Sequence, residues 1–469
     1  VADVSFQRAD YQAVLADWKL LADVVAGERA VKAAGTAYLP KPNPADDSDH
    51  NRRRYEQYKL RAVFYGATGN TLAGLIGAAF RKAPETKIPD GLAFALSDID
   101  GAGISIYQQA QKTLGQTLLK GRCGLLVDYP ETSGITSVAT QRLLNIRATT
   151  TRVNAENIIN WRTEMVGGSA KLSLVVISES HEVVDGFGST DEQQFRVLRL
   201  IDGVYFVEIW RMNEAKTQWV LSSSIAPTRA DGSNWDQIPF VFVGAENNDH
   251  EIDRAPLLPI ALLNLAHYRN SADYEDSVYF CGQPQPWMSG LDVEWRNHLQ
   301  KTGITIGSGV TLPIPKNGAF GIEQASPNTL AKEAMDQKER QMISLGARVI
   351  ERSVAAKTAT EVDSNDSVQH SILSLAASNV SAAYTKCLGW MAEFMGVPGG
   401  ILFEISREFA SKSLDPQMIT ALVGAWQSGK LPESDLWNYW RKHGLIEGDK
   451  GDESIKAELD ASGVGLGLE

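Results

Sequence analysis

The sequence predicts an α+β fold, mainly α, and three observations carry that expectation. Apolar residues return every three or four positions along most of the chain, which is the spacing of one helical face. Between Arg142 and Val243 the interval drops to two, the spacing of half-buried strands. A short proline-rich segment, 281–326, separates two long helical stretches. At 469 residues the chain has room for about three domains, and 43% hydrophobic against 22% charged residues is enough apolar material for a sizeable core.

Taken in order, Phe6 to Ala26 places Tyr11, Val14, Leu15, Trp18, Leu21 and Val24 on one helical face. A break at Gly35–Pro40 and a polar linker, Lys41 to His50, precede one helix from about Arg53 to Phe80. Within it Gly74 and Gly77 are spaced to let another helix approach closely, and Pro84 and Pro89 close the segment. Ile104 to Leu119 is a third helix, and Cys123 to Tyr129 a buried strand ended by Pro130. Asn157–Trp161 reads as a packed turn with a buried tryptophan.

Short strands follow at Leu172–Ile177, Phe195–Ile201, Val204–Trp210, Gln218–Leu221 and Phe240–Val243, separated by turns such as Gly186–Gly188. Asp202–Gly203 between two alternating runs is the sharpest hairpin signal in the chain. The chain then returns to helix over Leu257–Tyr279. The segment 281–326 has strands expected at 285–287, 304–306, 310–312 and 320–322, and a helical turn near 293–299. Its four prolines, Pro284, Pro286, Pro313 and Pro315, argue against long central strands there. Trp287 and Trp295 are either its small core or contacts to a partner.

Asn328–Ile350 is helical again, Glu351–Lys357 has no strong preference, and a helix of about 55 Å is expected over Ala359–Met395. Thr358 and Glu361 have the spacing of a capping box at its start, and Gly396 and Pro398 stop it. Along it Ser364, Ser367, Ser371, Ser374, Ser378 and Ser381 form a stripe at alternating intervals of three and four. Such a stripe is either a solvent face or a surface for close packing of helices between copies. Arg348, Arg352 and Lys357 flank or lie in the connecting loop.

Catalytic and metal-binding motifs are not found. No G-x-x-x-x-G-K-[ST] phosphate loop occurs, and Gly307–Gly309 lacks the spacing of a nucleophile elbow. No histidine or cysteine set has zinc spacing, and His267 and His370 read as satisfied or solvated helix residues. Paired carboxylates such as Asp46–Asp47 and Asp363–Asp366 read as solvated surface in an acidic chain. The expectation is therefore a non-enzyme with no cofactor. Cys123, Cys281 and Cys387 form no disulfide framework, Val1–Leu20 is too charged for a signal peptide, and no run of about 18 apolar residues would span a membrane. A net charge of −12 argues against general binding of nucleic acid or anionic membrane.

The order of elements resembles the portal proteins of tailed bacteriophages. Trp18–Gly27, Tyr38–Pro40, Tyr55–Phe64 and Gly74–Pro84 look like the amino-terminal portion of that family, and Asn157–Trp161 like the start of its wing domain. The resemblance implies amino-terminal helices and a β-rich wing over 1–254, a first stem helix over 255–280 and an α/β clip over 281–326. It further implies a second stem helix over 327–350, a tunnel loop over 351–357, a long wing helix with a returning strand over 358–408, and a helical crown or carboxy-terminal region over 409–469. Phe409–Leu445, with Trp426, Trp437 and Trp440, carries that last likeness, although the region is short for an extended crown.

Members of that family form a ring, usually a dodecamer, at one capsid vertex of the virion. The resemblance implies assembly in the host cytoplasm with the major capsid protein, docking of the terminase and then of a head-tail adaptor, and passage of double-stranded DNA without sequence-specific binding. Twelve copies at −12 each carry −144 charges, so DNA would be repelled rather than trapped. Arg348, Arg352 and Lys357 are the expected transient phosphate contacts, and Trp287 and Trp295 the expected clip contacts. Another capsid or neck component, or a soluble enzyme with a dispersed site, are the alternative readings.

Overall fold

The computed structural model describes residues 3–130, 146–303, 313–325, 329–350 and 371–407, and, beyond these, 409, 422–426, 428, 430–442, 446 and 450–461. The fold is mixed, about 46% helix against 23% strand. Two compact units divide the chain, Val1–Arg407 and Glu408–Glu469.

The larger unit opens with α1 (Ala9–Ala26), which buries Tyr11, Trp18, Leu21 and Val24, and a short α2 (Glu28–Ala33). The single helix expected over 53–80 is instead two, α3 (Asp49–Arg61) and α4 (Ala67–Ala79). The break persists because α6 (Leu258–Cys281) satisfies the backbone groups that a continuous helix would have paired. Val63 N–H donates to Ser271 Oγ (2.9 Å), Thr68 N–H to Asn264 Oδ1 (3.1 Å), and Asn264 Nδ2 to Tyr65 O (2.6 Å). Gly74 and Gly77 on α4 face open space rather than a neighbouring helix.

A capping box does occur, at the start of α5 (Ile106–Lys120), where Ser105 and Gln108 satisfy each other's backbone N–H groups. Strand β2 (Arg122–Asp128) follows, buried along nearly its whole length. It is the centre of a three-stranded antiparallel sheet, between β3 (Thr149–Val153) and β9 (Phe240–Gly244). The period-2 region is therefore split between two sheets. A second, five-stranded antiparallel meander runs β4 (Ile158–Val166), β5 (Ser169–Asp185), β6 (Gly188–Ile201), β7 (Val204–Met212) and β8 (Trp219–Ile225).

Asn157–Trp161, read as a turn, ends a 3-10 turn and enters β4, with Trp161 buried as expected. The Asp202–Gly203 hairpin is present, both residues at positive φ (50° and 78°), as a tight primed turn between strands requires. Arg122 joins the two sheets. Its guanidinium carbon lies 4.4 Å from the Trp161 ring of β4 and 4.0 Å from Phe242 of β9, and burial lowers its pKa.

The core is organised around α9 (Ile372–Met395), which buries residues on most of its circumference, among them Leu373, Val380, Tyr384, Leu388 and Met391. Such all-round burial is the signature of a helix inside a domain rather than on its surface. It packs on α5, β2, β9 and α8 (Leu330–Ile350), and its carboxy-terminal partner β12 (Leu402–Glu404) returns to pair with β1 (Glu85–Lys87). Gly396, at φ 65°, ends it in the left-handed conformation the sequence suggests.

The start of α9 differs from expectation. Ser371 has extended backbone (φ −72°, ψ 157°), and its hydroxyl accepts from Ser374 N–H (3.1 Å), an N-cap. A continuous helix from 359 to 395 is therefore excluded at residue 371, and the described helix is 24 residues, roughly 36 Å. In the smaller unit, α10 (Glu433–Lys442) and α11 (Asp452–Ala461) bury Leu436, Trp437 and Ile455. Arg441 ties them together through Lys450 O (2.9 Å) and Asp452.

Candidate functional site

The candidate site is the helix, knob, helix stretch from α6 to α8. Pro259 in the first turn of α6 fits where an N–H has no helical partner. From Ile260 to Ala272 the helix is embedded, with Leu265, His267 and Tyr268 buried. Beyond Ala272 none of its residues is buried, and Val278, Tyr279 and Phe280 are 48%, 50% and 59% exposed. The helix thus leaves the core with apolar residues in solvent.

Polar pairs brace the point of exit. Asp276 accepts from Arg54 (3.0 Å) and Arg61 (2.5 Å), Asp273 accepts from Tyr58 Oη (2.5 Å), and Arg61 also lies 4.3 Å from the centre of the Tyr279 ring. Burial and the Asp273 hydrogen bond both raise the Tyr58 pKa.

α8 returns antiparallel along α6. Gln324, just before it, donates to Cys281 O at the end of α6 (3.1 Å), and midway His267 Nε2 lies 3.5 Å from Glu339 Oε1. Burial pushes the His267 pKa down, against the pull of the Glu339 carboxylate. Of the side chains described on α8 only Met342 and Val349 are buried, while Leu330 and Ile343 are 70% and 72% exposed. The pair is a two-helix column whose outer faces are exposed among the described residues.

Between the helices lies a knob. β10 (Gln285–Met288) pairs antiparallel with β11 (Phe320–Glu323), and α7 (Val293–Thr302) is capped by Asp292, which accepts from Trp295 N–H (2.8 Å). Trp287 lies across Gly321, where an added Cβ would fall within 2.7 Å of the indole. Trp287 is nevertheless 46% exposed, Trp295 is half-buried, and no described residue of 282–325 is buried. The expected strands at 304–306 and 310–312 lie outside the described residues.

The other expected site residues divide as follows. Arg348 is exposed in the last turn of α8. Arg352, Lys357, Thr358, Glu361, Ser364, Ser367 and His370 lie outside the described residues, as does the whole 351–357 loop. The serine stripe is not one face of one helix. Ser371 is the cap, Ser374 and Ser381 are buried within the subunit, and Ser378 is exposed. Ser381 Oγ donates to Ala377 O (2.7 Å) and accepts from Ile405 N–H (3.0 Å), so it fixes the strand after α9. Among the described residues no group of three or more acidic, histidine or cysteine side chains is placed to hold a metal, and no helix is long and apolar enough to cross a membrane.

A model of a family described as a domain of unknown function, DUF4055, matches residues 256–395, the stretch from α6 through α9. No curated protein matches the chain. Among solved structures, a chain of "Virion of native gene transfer agent (GTA) particle" is similar with a TM-score of 0.42 and 13% identity, covering 88% of this chain and 97% of that one. A chain of "Neck of empty GTA particle computed with C6 symmetry" is similar at 0.40 and 13%, over 78% of this chain and 88% of that one. A chain of "Neck of native GTA particle computed with C12 symmetry" is similar at 0.38 and 15%, over 79% of this chain and 88% of that one.

Proposed function

We propose that this chain is the subunit of a phage-type portal, a ring at one capsid vertex through which DNA is packaged and ejected. One observation carries the reading. Two antiparallel helices leave the core with Val278, Tyr279, Phe280, Leu330 and Ile343 exposed and bear at their end a knob with no buried residue among those described. A column of this kind is stable when copies stand side by side and cover one another's apolar faces. α6 and α8 then act as the stem, 281–326 as the clip that meets the terminase and later the adaptor, and the five-stranded sheet as part of the wing. Arg348, Arg352 and Lys357 are the proposed channel cations.

Native mass and negatively stained images of the purified chain test the reading. Rings with a central hole are the expected result, and a compact monomer at all concentrations would sink it.

A further inference from the structure

The two longest strands extend well past the sheet that holds them. β4 pairs with β5 only as far as Ile177, and β7 pairs with β6 only from Gln194 onward. Ser180–Asp185 and Gly188–Gln193 therefore form a two-stranded ribbon with no third strand among the described residues, roughly 20 Å long. Every residue from 182 to 193 is exposed. At the tip, in the Gly186–Phe187 turn, Phe187 is fully in solvent (114%), and Val184 beside it is 69% exposed. A lone two-stranded ribbon is marginal in water, and an aromatic ring at its tip adds unfavourable exposed surface. The ribbon is also one-signed. It carries Glu182, Asp185, Asp191 and Glu192 and no lysine or arginine. Glu192 is held by Lys216, which leaves Glu182, Asp185 and Asp191 without ion pairs among the described residues.

A complementary surface lies on the same molecule. In a chain of net charge −12, α3 carries Arg52, Arg53, Arg54, Lys59 and Arg61 against only Asp49 and Glu56. Beside it opens a groove of about 660 Å³ lined by Lys41, Asp49, Arg52, Arg53, Glu56, Gln57 and the buried Tyr55, in which Arg52 pairs with Asp49 and Lys41 with Asp47, within the roughly 300–1,000 Å³ of ordinary binding pockets. Arg53 is exposed and forms no ion pair among the described residues.

We infer that the β5–β6 ribbon is an assembly arm whose Phe187 tip seats in the α3 groove of a second copy of this chain. Tyr55 forms the floor under the ring, and Arg52 and Arg53 face Asp185 and Glu182 at the rim. The contact joins different surfaces on the two copies, so each subunit offers one arm and one groove, and repetition generates a ring if the rotation closes. The inference rests on the ring reading for its biological use.

Cross-linking tests it directly. Copies carrying Phe187→Cys are mixed with copies carrying Gln57→Cys under mild oxidation, with Met165→Cys, 71% exposed at the end of β4, replacing Phe187→Cys as the control. A disulfide-linked dimer is expected from the first mixture and not from the control. In the otherwise native chain, Arg52→Glu with Arg53→Glu should weaken self-association about tenfold or more, and adding Glu182→Lys with Asp185→Lys should restore most of it. If the native chain associates while these variants match it and no cross-link forms, the arm inference falls and the ring reading stands. A cross-link without rings in images supports the arm contact and removes the ring reading. A monomeric native chain with no cross-link overturns both.

Discussion

Tyr384 Oη sits where three elements meet. It donates to Gln109 Oε1 (3.0 Å) on α5 and lies 2.9 Å from Thr113 Oγ1, while Gln109 Nε2 donates to Thr150 O (2.8 Å) on β3. All four residues are buried, so each polar atom depends on the others rather than on water. Tyr384→Phe keeps the ring and orphans Gln109 Oε1, and a loss of about 1–3 kcal/mol in chemical denaturation is expected. An unchanged midpoint would show that this network does not hold α9. His267 gives a prediction with a sign. Its folded pKa is lowered from the ordinary 6.5, so below that value the unfolded chain takes up the proton more readily. Stability should be full above about pH 6.5 and fall as pH drops through the window beneath it. Melting curves at several pH values should show a shallower acid slope for His267→Asn than for the native chain; identical slopes would refute this. Neither residue was assigned its role from sequence. The hydroxyl partners of Tyr384 lie about 270 residues away, where periodicity carries no information.

At the scale of elements, the knob is the clearest case for a prediction. β10 and β11 are antiparallel, with Gln285 opposite Glu323, so the chain enters and leaves it side by side. With no buried residue between 282 and 325 among those described, it contributes little to the stability of the subunit. Replacing 284–322 by a short turn should leave the melting temperature nearly unchanged and abolish docking of terminase or adaptor in a pull-down. Unaltered docking would remove the clip assignment. Elements with local signals were legible in the sequence: the Asp202–Gly203 hairpin, the buried β2, and the helices around the knob. Those shaped by distant partners were not. The break between α3 and α4 depends on Asn264 and Ser271 of α6, and locally Gly66, the residue before α4, is a weak sign of it. The outer halves of β5 and β6 are polar and solvated, so they show no alternation that would mark them as strands. Among the described residues, side-chain caps occur at Ser48, Ser105, Asp292 and Ser371, and the Thr358–Glu361 pair lies outside them.

For the whole molecule, the charge balance and the proposed channel belong together. A subunit of net charge −12 suits a conduit that DNA crosses without being held, with a few cations making brief phosphate contacts. Neutralising Arg352 and Lys357 together should leave rings intact by electron microscopy while lowering DNA packaging or retention; normal packaging by the double variant would dismiss that role. The fold-level outline was legible because the order of helices, sheet and knob is written in periodicity. Its completion was not, because what meets the faces of α6 and α8 that are exposed among the described residues is not written in the periodicity of this chain. The side-by-side ends of β10 and β11 have one more consequence. A segment that begins and ends at the same place, and shares no core with its host, is an interchangeable cassette. Under the clip proposal, related chains that traded it by recombination would acquire a new docking specificity in one step, with the column and core left as they were.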